Sequence, residues 1–540
     1  MAKKQISTPK DGTSILHDKR NIRIALGVIL LVTCAALFPS LKNGFTNWDD
    51  DRYVTNNPLI QDLSWNRIEQ IFSVFFQGNY HPLTLLSYAI EFQSFQLNPS
   101  VYHVTNLLLH LLNCSLVFWL IFKLGGDLIT SFIVGILFGI HPLHVESVAW
   151  IAERKDVLYA LFFLGAIISF LQYRQSGRNK RYYYVSLFLF LLSCLSKGMA
   201  VTLPLVLLLI DYYLDKKINK RAVIEKIPFL ITSLLFGIVA ILAQRAQGAV
   251  GDTAVYSVLD TVFIACYGVV FYIVKAVVPI NLSAMYPYPG KPEGMLPTLY
   301  LISPVAVAAL VFLISYSRRY TRRIIFGSAF FFICIVPVLQ LLPVGVAVTA
   351  DRYFYVSSIG IFYIVGEGFS NFYHSTYVRA NRFIPAAIVL GILILSIVWY
   401  LTLERTKIWN NSISLFNDVL EQNPSDPLAY VNLGKAYSDA GKDDKAIELL
   451  RKVTELAPKY TLGHYNLGNA YFRKSLYDNA LQCYQTVLAI DTGFVKAYYN
   501  IGVVYQKLGD MNQAIAYLQQ AARRGHQSSQ DWLKENGYRW

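Results

Sequence analysis

Residues 22–51 read IRIALGVILLVTCAALFPSLKNGFTNWDDD. Residues 22–41 are one apolar run, and a helix crosses a bilayer with about 20 such residues. The run is too long for a signal-peptide core and lacks a clear cleavage site, so it reads as a retained helix. Just beyond it stand Trp48 and three consecutive aspartates, Asp49, Asp50 and Asp51. The tryptophan suits the aromatic belt at a membrane surface. The acids suit a solvated turn or helix cap, or a site that takes up a proton or holds a cation above the bilayer.

The rest of the chain extends the first theme. Of its 540 residues, 54% are hydrophobic and 15% charged, where a soluble protein carries about 25% charge. Apolar runs near 22–41, 102–123, 130–144, 156–173, 183–197, 199–214, 228–245, 299–316, 324–341, 353–369 and 384–403 predict about eleven spans in an all-α, polytopic membrane bundle. The net charge of +14 is not a nucleic-acid footprint. Its bases gather between the runs, in RQSGRNKR (174–181), DKKINKR (215–221) and SRRYTRR (317–323), which is the positive-inside pattern. Lys3, Lys4, Lys10, Lys19, Arg20 and Arg23 then put the N-terminus, 1–21, in the cytoplasm and the loop 42–101 outside. One run resists this scheme. If residues 258–278 cross, the four arginines of 317–323 face outward; the sequence predicts an external or re-entrant helix there instead, with the C-terminal tail outside. Five of the six cysteines lie in apolar runs, the sixth is Cys483, and no CxxC occurs. That argues against disulfides and a cysteine metal site.

The membrane region ends near 403, and the pattern changes over 404–540. AYVNLGKAYSDAGKDDKAIELL (429–450), HYNLGNAYFRKSLYDNALQCY (464–484) and AYYNIGVVYQKLGDMNQAIAYL (497–518) align without gaps at a period of 34, the tetratricopeptide (TPR) length. Gly434, Gly468 and Gly502 share the position where paired helices approach closely, Ala446, Ala480 and Ala514 share another, and Tyr437, Tyr471 and Tyr505 are expected in the core. SISLFNDVLEQNP (412–424) matches the second half of a repeat, so a half repeat precedes three repeats over 427–528. Such TPR α-solenoids bind extended peptides or partner proteins. Asn432, Asn466 and Asn500 recur at one position of the first helix. They read either as ordinary solvent-facing residues or as an acceptor-binding ladder, since an amide side chain both donates to and accepts from a peptide backbone.

Two amphipathic stretches of the outer loop, near 65–77 and 82–96, would lie along the membrane surface. The loop thus holds its aspartates over two interfacial helices. GIHPLHVESVAWIAERKD (139–156) crowds His141, His144, Glu146, Glu153, Arg154, Lys155 and Asp156 at an apolar boundary. HxxH is a metal-ligand spacing, and either histidine alone reads equally well as an interfacial polar residue. As a group such residues are costly at membrane depth unless they line a cavity, which makes His141, His144, Glu146 and Arg154 active-site candidates. Lys197, between two apolar runs, and Asp351 with Arg352, in VGVAVTADRYFYVSSIG (344–360), fall on the same outer side. One such cation can merely snorkel. Several on the side of the aspartates suggest a site for an anion, and beside a bilayer a lipid phosphate fits.

In the order WDDD (48–51), YHPLTLLSYAI (80–90), LNPSVYHVTNLLLHLLN (97–113), GIHPLHVESVAWIAERKDVLYALFF (139–163), LSKGMAVTLPLVLLLIDYY (195–213), DRYFYVSSIG (351–360) and then TPR repeats, the chain resembles the transmembrane-and-tetratricopeptide-repeat O-mannosyltransferase family. That family belongs to the GT-C superfamily of glycosyltransferases, and the resemblance covers nearly the whole chain. It implies a GT-C helical bundle that moves a sugar, mannose or another hexose, from a polyprenyl-phosphate donor on the outer or lumenal face. It also implies that an acidic pair of the first outer loop carries catalysis, matched here by Asp49 and Asp50. The chain departs from the pattern with a third acid, Asp51, with His81 where related sequences often carry Arg, and with Gly198 where the family SKE segment has Glu.

A sugar on a lipid phosphate has a good leaving group, but an acceptor hydroxyl attacks only when a base takes its proton, a contribution of about 10²–10⁴-fold. Asp49 is the expected base and Asp50 an orienter. Arg352 and Lys197 would clamp the leaving phosphate, with His81 and Asp351 as further site candidates. Attack opposite the leaving group inverts the anomeric centre. Asp49 and Asp50 together also suit Mg²⁺ or Mn²⁺ through oxygen ligands. The acceptor is expected to be Ser or Thr of a polypeptide engaged by the repeats, and the short loops suggest a bacterial inner membrane. Rival readings are transfer to a surface glycan or lipid, a non-catalytic TPR membrane scaffold, and a transporter.

Overall fold

The structure, a computed structural model, describes residues 19–247, 256–291, 294–341, 345, 347–375 and 383–540. Lys3, Lys4 and Lys10 lie outside these. The chain divides into two compact units, Met1–Phe45 with Asp49–Asn410, and Thr46–Trp48 with Asn411–Trp540.

The first unit is a helical bundle: α1 Lys19–Leu37, α2 Trp65–Ser73, α3 Pro82–Phe95, α4 Pro99–Lys123, α5 Leu128–Ile140, α6 Val145–Ala149, α7 Arg154–Gln175, α8 Lys180–Ser196, α9 Leu203–Asp215, α10 Lys220–Ile224, α11 Ile227–Ala246, α12 Val258–Val277, α13 Thr298–Ser317, α14 Arg323–Ile335, α15 Phe354–His374 and α16 Phe383–Ile408. Both amphipathic stretches of the outer loop are helices, α2 and α3, as expected. Among the described residues, eight helices are long and apolar enough to cross a membrane: α1, α4, α7, α9 with the turn before it, α11, α12, α13 and α16. The bent pair α5 and α6 makes up to nine. The other three expected runs are helices too, α8, α14 and α15, of 17, 13 and 21 residues. This is a multi-pass membrane protein. Helix α12 has the length and composition of a span, so only the outward arginines argue against its crossing. The last helix runs to Ile408, past the boundary expected near 403, and the compact units part at Asn410.

Helix α7 is central, with 61% of its apolar stretch buried against 11% for α11, α13 and α16. Around it the helices break in a way that places polar groups. The run expected as one helix over 130–144 stops at Ile140, because Pro142 disfavours α geometry in the residue before it; His141 is extended, and α6 leaves at 54° to α5. A single 3₁₀ turn, Ile151–Glu153, then starts α7. Helix α8 stops at Ser196, Lys197 is extended (φ −160°, ψ 137°), and a second 3₁₀ turn, Gly198–Thr202, leads into α9. A third, Asp351–Tyr353, opens α15. Ahead of that turn β2, Ala347–Thr349, pairs antiparallel with β1, Tyr286–Pro287.

The second unit is a solenoid: α17 Ser412–Gln422, α18 Pro427–Asp439, α19 Asp443–Leu456, α20 Thr461–Arg473, α21 Tyr477–Ile490, α22 Val495–Leu508, α23 Met511–Arg523 and α24 Gln527–Glu535. The period of 34 has a direct packing cause. A Cβ at Gly434, Gly468 or Gly502 would meet Leu450, Tyr484 or Leu518 at 2.7, 2.6 and 2.8 Å. Ala446, Ala480 and Ala514 are fully buried, as are Tyr437 and Tyr471 for the most part. Tyr505 is half-buried, stacked on Tyr517. Helix α24 closes the core with Leu533 against Leu518 and Ala522.

Gly468→Ala drives a methyl into the buried Tyr484 ring, an overpacking cost of about 1–3 kcal/mol. Limited proteolysis of the detergent-solubilised chain on a temperature ramp should show earlier cleavage between 460 and 490, and the same substitution at the open position Gly391 should not.

Candidate active site

The breaks in the first unit converge. Glu153, 1% exposed, sits at their centre. Its Oε1 meets Lys155 Nζ at 3.0 Å and Arg352 Nε at 3.1 Å, and its Oε2 meets Lys197 Nζ at 3.4 Å. Arg352 also donates to Glu146, from Nη1 at 2.5 Å and from its backbone N–H at 2.9 Å. Lys197 donates to Asp156 at 2.5 Å, and Asp156 accepts from Ser147 at 3.2 Å. Arg352 lies over the Trp150 and Tyr353 rings, and Lys155 over Tyr53. The side chains of Lys155, Lys197 and Arg352 are 9, 11 and 17% exposed, so each shows only an edge to a ligand.

The acidic run stands beside this cluster. The Asp49 carbonyl accepts from the Arg52 and Tyr53 N–H groups at 2.9 and 3.0 Å, which folds the run into a turn. The Asp49 carboxyl is partly buried, within electrostatic reach of Lys155, Arg52, Glu153 and Arg352. Burial raises its pKa above the ordinary aspartate value, against the pull of the three cations. Asp50 points elsewhere. It is buried, and its Oδ1 accepts from the Ala152 N–H at 2.9 Å, tying the acidic turn to the 151–153 turn. Asp51 begins a wide helical turn to Thr55 that borders a cleft with Arg52, Asn56 and Gln77. Among the described residues no three His, Cys, Asp or Glu side chains are arranged to hold a metal ion. The Ala152 N–H occupies one oxygen of the Asp50 carboxylate.

His81 caps α3, is 2% exposed and stacks on Tyr53 with ring centroids 5.4 Å apart. Neither ring nitrogen has a hydrogen-bond partner. Burial, then the charges of Lys155 and Lys197, push its pKa down to about 3, so it is neutral at physiological pH.

The other candidates stand apart. Arg154, one position from Lys155, turns the opposite way. It is fully buried between Glu91, Asn106 and the Tyr102 carbonyl, over the Tyr88 ring. His141 and His144 lie in an aromatic cluster with Phe138, Phe354, Tyr355 and Phe362. They bond to the Ala276 and Phe138 carbonyls. Asp351 accepts from Tyr286 at 2.8 Å and faces Arg405 at 3.7 Å; burial raises its pKa to about 7. In the second unit the repeated asparagines differ from one another. Asn432 lends its carbonyl to the Asn47 amide, Asn466 is half-buried and bonds back to Leu462, and Asn500 donates to Asn469 at 2.9 Å. Nothing in the sequence marks Tyr53, and Glu153, Lys155 and Asp156 are indistinguishable there from the other polar residues of the crowded 139–156 run. The usable signal was spacing: residues 153 and 156 share a helix face, and Arg154 does not.

Three family models of tetratricopeptide repeats match residues 415–448, 434–475 and 460–524. A protein O-mannosyl-transferase of Caenorhabditis elegans is 24% identical over 448 residues, 78% of this chain and 60% of that one. Protein O-mannosyl-transferase TMTC4 of Homo sapiens is 26% identical over 494 residues, 79% of this chain and 65% of the relative. TMTC2 of Mus musculus is 34% identical over 137 residues, 23% of this chain and 16% of the relative. The chain thus spans less than two thirds of these relatives' lengths. Among solved structures, MamA is 30% identical over 21% of this chain and 67% of its own, with a TM-score of 0.20. The chain is a multi-pass membrane protein with a C-terminal TPR region, and its relatives are protein O-mannosyl-transferases.

Proposed function

We propose that the chain is an inverting GT-C-type hexosyltransferase. It moves mannose or a similar hexose from a polyprenyl-phosphate donor to a Ser or Thr hydroxyl of a polypeptide. The observation that carries this reading is a partly buried aspartate, Asp49, within electrostatic reach of Lys155 and Arg352, which share the Glu153 carboxylate with Lys197. The names of the relatives support mannosyl transfer to protein.

The acceptor oxygen attacks the anomeric carbon from the face opposite the phosphate. As that bond forms, Asp49 accepts the hydroxyl proton, and the electron pair of the breaking carbon–oxygen bond leaves on the phosphate. The developing charge meets Arg352, whose planar guanidinium can fork onto two oxygens, and Lys197 and Lys155, which act as point charges. Cations fixed in advance where charge appears are the largest lever such a site has. Asp50 acts as an orienter, since it anchors the Asp49 turn to the turn that carries Glu153. The repeats hold the acceptor chain, with the half-buried Asn466 offering its amide oxygen to a peptide backbone. The positive-inside pattern of the basic segments supports a site and repeats on the outer face of a membrane that we take to be a bacterial inner membrane.

Asp49→Asn keeps size but removes the proton acceptor. With purified chain in nanodiscs, a synthetic polyprenyl-phosphate mannose and a Ser/Thr peptide, transfer should fall about 10²–10⁴-fold while donor binding stays near normal. Full activity in this variant would return the acid to a mere surface turn. The wild-type rate should rise with pH through the raised pKa of Asp49, because the base works only when ionised; a rate that falls over that range contradicts the assignment. In the same assay Arg352→Ala should raise the donor KM at least tenfold, and Lys197→Ala less. Unchanged donor KM in both would remove them from the phosphate site.

A further inference from the structure

Glu153 has no part in the transfer chemistry, yet every cation of the site reaches it. Lys155 lies at 3.0 Å, Arg352 at 3.1 Å and Lys197 at 3.4 Å from one carboxylate. The three come from separate stretches of chain: the first turn of α7, the end of α8 and the turn before α15. The neighbouring acids do not bridge them. Among the described residues the only cation paired with Glu146 is Arg352, and the only one paired with Asp156 is Lys197. Among the described residues Lys155 has no ion pair except with Glu153.

We propose that Glu153 is the positioning residue of the phosphate site: its single carboxylate gathers Lys155, Lys197 and Arg352 into one anion-binding triangle. The proposal rests on the polyprenyl-phosphate reading of that site. Three like charges in so small a space repel one another, and without an anion among them they separate. A phosphate needs them at a fixed spacing, and a site assembled before binding does not spend binding energy on assembly. Glu153 has the position for this. It is buried, so its carboxylate is not exchanged for solvent, and its two oxygens divide the cations, Lys155 and Arg352 on one and Lys197 on the other.

The test is saturation binding of a radiolabelled short-chain polyprenyl monophosphate to the full chain in nanodiscs, with thermal unfolding measured alongside. Wild type should bind saturably. Glu153→Gln should bind at least tenfold more weakly, and Glu153→Asp, which keeps the charge but shortens its reach, about three- to tenfold more weakly. The double variant of Glu153→Gln with Lys155→Met should bind no worse than Glu153→Gln alone, because the two residues act as one unit. Unchanged or tighter binding by Glu153→Gln, or additive losses in the double variant, would overturn the proposal. If Glu153→Gln does not fold, an unchanged affinity in Glu153→Asp overturns it equally. Failure of wild type to bind the lipid phosphate removes the donor reading and this proposal with it. Wild-type binding with intact Glu153→Gln binding removes the proposal alone.

Discussion

A buried carboxylate that touches three cations governs the first unit. Charged groups at membrane depth are tolerated only when paired or lining a cavity, and here the pairing draws remote pieces of chain to one point. The break at Pro142 is what brings Glu146 near the start of α7. The break after Ser196 leaves Lys197 extended, with its ammonium on Asp156 and Glu153. The turn at Asp351–Tyr353 delivers Arg352, and Asp50, bonded to the Ala152 amide, brings the acidic loop alongside. The three breaks are local interruptions of helices, and with the Asp50 bond they gather polar groups at one place in a largely apolar bundle.

The two adjacent aspartates show how environment divides labour. They differ by one position, yet neighbouring side chains diverge. Asp50 is spent on a backbone amide. Asp49 keeps a carboxyl whose burial favours the neutral acid while nearby cations favour the anion. That balance lets a carboxylate act as a proton acceptor near neutral pH.

Most of the fold was legible because its signals are long. Apolar runs of about 20 residues locate helices well, and the run at 102–123 became Pro99–Lys123. The period of 34 was legible because Gly434, Gly468 and Gly502 each face a large side chain 16 residues on. The candidate cluster was legible as a crowd of polar residues between apolar runs, and the structure brings Glu146, Lys197 and Arg352 together through Glu153 and places Asp49 within their electrostatic reach. Direction was not legible. Arg154 and Lys155 are equivalent in sequence, and only the phase at which α7 starts turns one into the protein core and the other toward Asp49. His141 and His144 had a metal-like spacing, but the bend at Pro142 folds both into aromatic packing. The asparagine pattern marks one position on the first helix of each repeat, but the neighbour Asn469, which pairs with Asn500, can be known only from the fold.

The central claim is that sugar passes in one displacement from a lipid phosphate to a hydroxyl deprotonated by Asp49. Its most direct test is the anomeric configuration of the product. Purified full-length chain, given a synthetic polyprenyl-phosphate mannose of defined anomeric configuration and a Ser/Thr peptide, should yield a glycopeptide whose anomeric proton and carbon couplings in NMR report the opposite configuration. A product with the donor's configuration would contradict a single displacement at this site, and a chain that never modifies the peptide would contradict the transferase reading itself.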